Sequence, residues 1–467
     1  MDIIEAIHSE KLFKPCFKGG LESWTAWITL LRALSGLSMD DTDLDLYQRC
    51  TGRKTAPDKP VKELWAIVGR RGGKSFVSAI IAVFLALFHD YSKHLGPGER
   101  GTIQIIAADR SQAQVILSYI KGILHSTPVF EQYIETELKE TVDLTNNITI
   151  EVMSCSFRSI RGRTVVCAIF DEMAFWRVEG ASPDKEILSA IRPAMGTIPN
   201  SLLICISSPY ARSGSVYEHH SDYYGKDDPY ILVWQAPTRV MNPTLPQDII
   251  DRETKKDPTA ARAEWEAEFR DDISGFLNPE IVRACSVFTG DLAPEPGVFY
   301  RAFTDPSGGR ADAFTLAIGY QDHQTRKFRT ALLKGWKPPF DPETVVNEIS
   351  EVLGRYRVSS VTGDRYAAAW VSSAFEKCGI EYISSTKNKS EIFLQSEGYF
   401  NTHRVEIPDD EQLYTELTNL ERRTGRSGRD SVDHPPRGND DYANAVCGLI
   451  SLLSGLEDSF FANCDLT

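Results

Sequence analysis

The sequence predicts an α/β protein of two main domains joined by a small helical subdomain. Residues 1–225 form a first domain with a parallel, doubly wound sheet, 226–290 the helical linker, and 291–467 a second domain of mixed sheet. Three observations carry this. Short apolar, β-branched runs alternate with helical stretches through the first half, the pattern of βαβ units. In the second half three such runs follow one another directly before the alternation resumes. Between the halves, the turn-rich segment 289–297 (TGDLAPEPG) interrupts every periodic pattern. A length of 467 residues agrees, at about one domain per 150 residues.

Taken in order, Trp24, Trp27, Leu30, Leu31 and Leu34 recur at helical spacing and read as a core stripe. Buried strands are predicted at Leu64 to Val68, Ile103 to Ala107, Val165 to Phe170 and Leu202 to Ser207, with helices near Ser75 to Phe88 and Gln112 to Leu124. From Asn242 to Gly275 the chain turns charged and helical, with no comparable apolar run. Beyond it, Val298 to Thr304, Thr315 to Tyr320 and Arg329 to Leu333 read as consecutive strands. They are followed by a helix (Glu343 to Tyr356), a strand (Ser359 to Gly363), a second helix and a strand (Ile380 to Ser384). No internal repeat or low-complexity tract appears.

With 42% hydrophobic, 10% aromatic and 25% charged residues, the composition excludes global disorder. No stretch approaches the roughly 18 apolar residues of a membrane span. The start MDIIEAIHSE lacks the layout of a signal peptide, so an unexported, cytoplasmic chain is expected. Nine cysteines without a CxxC pair suggest neither a disulfide framework nor a zinc ribbon. A net charge of -14 argues against a uniformly basic surface that coats nucleic acid. Because such repulsion is screened beyond about 8–10 Å, a local basic track or contact through metal ions stays open.

The strongest local signal is Gly69-Arg70-Arg71-Gly72-Gly73-Lys74-Ser75, set between an apolar strand and an apolar helix. In that context the glycines let backbone N–H groups face phosphates, the lysine reaches the outer phosphates and the serine hydroxyl ligates Mg²⁺. The consensus glycine falls on Val68, so this is a variant loop with Gly69 taking up the turn. Its partner is the strand VVCAIFDE, ending in Asp171, placed to hold Mg²⁺, and Glu172, placed to polarise an attacking water. Arg70 and Arg71 fit charge stabilisation on the transferring phosphoryl group, positioning of the phosphate backbone, or a surface ion pair. Ser207 and Ser208, at the next strand end, are candidate sensors of the γ-phosphate.

In the second half Asp305 closes one strand, Asp364 another, and Asp440 and Asp441 open an apolar helix. Carboxylates converging from separate elements can hold two Mg²⁺ or Mn²⁺ ions about 3.5–4 Å apart for in-line attack on a phosphodiester. As single residues, the same aspartates serve equally as turn formers or helix caps. The element order with acids at these positions looks like a ribonuclease H type fold. Asp312 sits in a Gly-Arg-Ala loop and is expected to be solvated. The run 422–429 (RRTGRSGR) reads as a flexible basic loop suited to phosphate contacts.

As a set, SWTAWITLLRALSGL, GRRGGKS, SIRGRTVVCAIFDE, ICISSP, AEWEAEFRDDISGF and the acid order Asp305, Asp364, Asp440/Asp441 resemble the large terminase subunit of tailed bacteriophages, from about residue 15 to 455. The resemblance implies a P-loop ATPase domain, a helical linker and a ribonuclease H-like nuclease domain. It implies Gly69 to Ser75, Asp171, Ser207 and Ser208 at ATP and Mg²⁺, Glu172 as catalytic carboxylate and Arg70 as a catalytic arginine. For the nuclease it implies Asp305, Asp364 and Asp441 as ligands of Mg²⁺ or Mn²⁺, with Asp440 the alternative third ligand. Its implied partners are double-stranded DNA, a portal protein, a small terminase subunit and a homo-oligomeric ring, commonly of five, at the procapsid portal vertex in the host cytoplasm, with no membrane. A cellular ATP-dependent helicase or repair nuclease, and an ATP-only assembly protein, are the competing functions.

Overall fold

The computed structural model describes all residues except 155–161, 177–182, 311, 365–367, 425–428, 436–437 and 465–467. The chain divides into two compact units, Met1–Asp271 and Asp272–Thr467. This division falls before the turn-rich segment 289–297.

The first unit holds eight strands: β1 (Glu63–Val68), β2 (Gly101–Ala107), β3 (Ile134–Glu137), β4 (Thr141–Leu144), β5 (Ile148–Ser154), β6 (Thr164–Asp171), β7 (Leu202–Ser207) and β8 (Ile231–Ala236). They form one sheet in the order β3-β4-β5-β2-β6-β7-β1-β8. From β5 to β8 every neighbouring pair is parallel, whereas β3 and β4 extend the edge antiparallel. The central strands are buried and mostly apolar because both faces are covered. In β1, Leu64, Ala66 and Val68 enter one core, while Trp65 and Ile67 enter the core on the opposite face. That alternation is the period-2 geometry of a strand.

The sequence reading missed β8, whose run ILVWQA lies inside the segment expected to be a helical linker. It pairs along the whole of β1, so the sheet continues to Ala236. Three helices follow, Thr238–Met241, Gln247–Lys256 and Pro258–Glu266, as the charged composition there implies. They belong to the first unit.

The second unit holds β9 (Ile273–Gly275), β10 (Ser286–Phe288), β11 (Arg301–Asp305), β12 (Phe314–Gln321), β13 (Phe328–Trp336), β14 (Ser360–Gly363), β15 (Glu381–Ser384), β16 (Val405–Pro408), β17 (Glu421–Thr424) and β18 (Asp430–Asp433). Its main sheet runs β10-β16-β13-β12-β11-β14-β15. The meander β11-β12-β13 is antiparallel, and β14 and β15 add parallel beside β11. This is the ribonuclease H-like arrangement expected from the element order. The long helix Asp441–Cys464 lies across β11 and β12, with Tyr442, Val446, Leu449 and Leu453 sharing a core with Phe303. The approach is close: a Cβ at Gly448 would collide with the Phe303 ring, so only glycine lets the helix lie this near the strand that ends in Asp305.

Within the run 422–429, the described Arg422 to Thr424 are strand and not free loop. Arg422, Arg423 and Thr424 are paired in β17 between β9 and β18. Arg422 is bound by Glu397, and Arg423 lies 3.2 Å from Glu421. Strand pairing and ion pairs absorb these charges, while Gly425 to Gly428 lie outside the described residues.

Candidate functional site

In the first unit the chemistry gathers at the carboxyl ends of β1, β6 and β7, where open parallel sheets bind ligands. The loop Gly69 to Gly73 leads into the helix Lys74–Phe88. Gly73 is its N-cap in the left-handed conformation (φ 93), and no side chain caps that end. The first backbone N–H groups of a helix lack intrahelical partners. An uncapped N-terminus behind a glycine therefore suits an anion.

The loop is held from three sides. Trp27 Nε1 donates to Gly72 O at 2.7 Å, Thr238 Oγ1 to Arg70 O at 2.8 Å, and Asn242 Nδ2 to Arg71 O at 2.9 Å. The tryptophan stripe is thus core, as expected, but one member also fixes the loop. Gly69 has its own constraint, since a Cβ there would press on Thr238 Oγ1 and on the carbonyls of Glu264 and Trp265. Arg70 and Arg71 are exposed. Arg70 pairs with Glu264 at 3.3 Å, the surface ion-pair alternative.

Lys74 is buried. Its ammonium donates to Val68 O at 2.8 Å and Ser208 Oγ at 2.9 Å and lies 3.3 Å from Glu172 Oε1. Glu172 Oε2 in turn accepts the Ser208 N–H at 2.9 Å, and Glu172 itself is left-handed (φ 52). A non-glycine residue in that region is uncommon and belongs with functional sites. Asp171, buried at the end of β6, has its carboxyl pushed up to about 7 by burial and by the Glu172 charge, against the pull of Lys74. Strand β7 lies between β1 and β6, so Ser207 and Ser208 sit between the loop and the acidic pair. Ser75 follows Lys74 in the first helical turn. Lys74, Asp171, Glu172, Ser207 and Ser208 are therefore brought together.

The second cluster lies on the second unit's sheet. Asp305, at the end of β11, accepts Asn444 Nδ2 at 2.7 Å. Burial pushes its carboxyl up to about 7, partly countered by Lys389. Asp441 Oδ2 accepts the Ala313 N–H at 2.9 Å, and its carboxyl rises to about 6, again through burial first. Asp440 is paired with Lys389 at 2.9 Å. Asp364, half-buried, directly follows β14, the strand beside β11, and its carbonyl accepts Tyr382 Oη at 2.8 Å. Asp312 is exposed, as expected.

Two residues here escaped the sequence reading. Lys389 starts the helix Lys389–Asn401, and although burial opposes its charge, Asp440, Asp305 and Asp441 hold its pKa above the ordinary lysine value. Glu416 accepts the N–H groups of Tyr442 and Ala443 at 2.7 and 2.9 Å, a long-range cap on the helix that opens at Asp441. Its carboxyl is pushed up to about 8 by burial. No local motif marks either residue, since both depend on contacts distant in sequence.

Residues 31–267 match the family model described as "Uncharacterized protein MJ0330, N-terminal P-loop domain". The chain belongs to this P-loop family. The match spans the loop, Asp171, Glu172, the two serines and the three helices after β8. No curated protein matches the chain. Solved structures similar to it include phage large terminases. The large terminase of bacteriophage HK97 is 17% identical, with 96% of this chain and 98% of that chain covered and a TM-score of 0.42. The large terminase of a thermophilic bacteriophage in complex with ADP is 10% identical, with 90% and 97% covered and a TM-score of 0.39. The large terminase nuclease of the thermophilic phage G20c with bound magnesium is 16% identical, with 37% and 94% covered and a TM-score of 0.32.

Proposed function

We propose that this P-loop protein is a phage large terminase subunit: its first unit hydrolyses ATP to drive double-stranded DNA into a procapsid, and its second cuts concatemeric DNA. The observation that supports this most is the coexistence, in one chain, of a P-loop lysine wired to Glu172 and Ser208 and of carboxylates gathered on a ribonuclease H-like sheet.

In the ATPase, the uncapped helix end and the backbone of Gly69 to Ser75 cradle the phosphates, with Arg71 at the rim. Ser75 and Asp171 suit Mg²⁺, which would neutralise phosphate charge. Lys74 binds the outer phosphates, and its departure from Glu172 leaves that carboxylate to orient and deprotonate water. Ser207 and Ser208, bonded to Glu172 and Lys74, relay the nucleotide state. Arg70 can serve catalysis only by leaving Glu264. In the nuclease, the all-oxygen donor set Asp305, Asp364 and Asp441 fits Mg²⁺ or Mn²⁺, which would supply an activated water and charge stabilisation at the scissile phosphate. Asn444 and the Ala313 N–H fix the orientations of Asp305 and Asp441, and Lys389 engages Asp440. The partners that follow are a portal protein, a small terminase subunit and further copies in a ring at the portal vertex, in the host cytoplasm.

The test separates the two chemistries. Lys74→Ala should lose ATP turnover and procapsid filling yet still nick plasmid DNA with Mn²⁺, while a folded Asp364→Asn protein should do the reverse. Unchanged ATP turnover in the first, or full cleavage by the second, refutes the corresponding assignment.

A further inference from the structure

Where β18 ends, Asp433, His434 and Asp440 each present one ligand-type atom, and these atoms lie within 4.8 Å of one another. Two features distinguish this cluster from an ordinary polar turn. The first is the orientation of the imidazole. His434 Nδ1 lies 2.9 Å from the Pro435 carbonyl oxygen. A carbonyl only accepts, so Nδ1 carries a proton, and in the neutral ring the lone pair is on Nε2. Metal-binding histidines are held in this way, with the other ring nitrogen anchored to a carbonyl or carboxylate. Nε2 faces Asp433 Oδ1 at 3.9 Å, too long for a hydrogen bond.

The second feature is Asp440. The residue is only 3% exposed, and its Oδ1 receives the Lys389 ammonium at 2.9 Å. Its Oδ2 is buried with no hydrogen-bond partner among the described residues. A buried carboxylate oxygen without a partner is costly. Among the described residues, Asp433, Asp440 and Glu421 stand against Lys389 and Arg423, whose guanidinium donates to the His434 carbonyl at 3.4 Å and pairs with Glu421, so three carboxylates against two cations leave an excess negative charge, which favours a cation.

We propose that Asp433, His434 Nε2 and Asp440 Oδ2 form a site for a borderline divalent cation, Mn²⁺ or Zn²⁺, separate from the Asp305, Asp364 and Asp441 set. One imidazole with two carboxylates suits such ions, whereas Mg²⁺ prefers oxygen alone. The ion ties the end of β18 to the residue preceding the helix that carries Asp441. Its existence does not require the nuclease reading to hold.

The experiment is Mn²⁺ titration of the full chain, followed by electron spin-echo measurement of nitrogen coupling to the bound ion. Wild type should show imidazole nitrogen coupling. His434→Gln should abolish it and lower the number of bound Mn²⁺ by one, or weaken that site roughly tenfold or more. Asp433→Asn should weaken the same site. Asp305→Asn should remove a different ion and leave the nitrogen coupling intact, which separates this site from the nuclease set. Thermal melts of the metal-free variants check the fold. No nitrogen coupling in wild type, coupling that survives in folded His434→Gln, or unchanged Mn²⁺ binding in that variant overturns the proposal.

Discussion

Asp305→Asn should stabilise the metal-free protein at alkaline pH while destroying its proposed cleavage activity. Burial raises this carboxyl from 3.8 to about 7, so the folded state binds a proton more readily than the unfolded state. Stability therefore falls as pH rises through the window from about 4 to 7, and the full penalty is present above it. About three pH units at 1.36 kcal/mol each make roughly 4 kcal/mol a ceiling, and relaxation around the charge brings the expected range to about 2–4 kcal/mol. Asparagine is close in shape to the protonated acid, and its amide oxygen still accepts from Asn444. In EDTA at pH 8 the variant should melt roughly 5–15 °C higher than wild type, at about 2–4 °C per kcal/mol for a unit of this size, and the advantage should vanish near pH 4. Added Mn²⁺ should reverse the order by stabilising wild type through binding. A variant that melts at or below wild type at pH 8 in EDTA, or a difference equal at pH 4 and pH 8, refutes the reasoning.

Glu172→Gln should bind ATP with near wild-type affinity but release phosphate at least about 100-fold more slowly; a near-normal rate would move the catalytic carboxylate elsewhere. Trp27→Phe removes the 2.7 Å hydrogen bond to Gly72 O and leaves a buried carbonyl unpaired, at about 1–3 kcal/mol. Nucleotide titration should show affinity about tenfold or more weaker. Glu416→Ala strips the cap from the helix that opens at Asp441 and should lower stability by about 1–2 kcal/mol and weaken Mn²⁺ binding, both read by melts and metal titration. Glu416→Gln, which keeps an accepting oxygen, should recover most of each.

The first unit was legible where chemistry and periodicity coincide. GRRGGKS reads as a phosphate loop because glycine, lysine and serine each have one job there, and β1, β2, β6 and β7 read as strands because burial on both faces leaves them apolar. The hairpin β3–β4 was not legible, since β3 is mostly exposed and polar and β4 is only four residues long. Strand β8 failed for a different reason: its short run follows a polar turn and precedes charged helices, and only pairing with β1 shows that it completes the sheet. The sequence leaves Arg70 open between catalysis, phosphate-backbone positioning and an ion pair. Its partner Glu264 lies in a helix that packs against the loop only after folding.

In the second unit the acids can be read along the chain but their division of labour cannot. Asp440 and Asp441 are consecutive and identical in chemistry, so position alone does not separate them. The fold does so through their partners. Asp441 is drawn to the Ala313 N–H just before β12, and its carbonyl accepts Thr315 Oγ1 at 2.8 Å, which ties it to the sheet. Asp440 is drawn to Lys389 on another helix, and its other oxygen has no hydrogen-bond partner among the described residues. The helix begins at Asp441, and Asp440, just before it, meets a different set of partners. A pair of acids at such a place can thus serve two sites, one on the sheet and one towards β18, without either carboxylate bridging both.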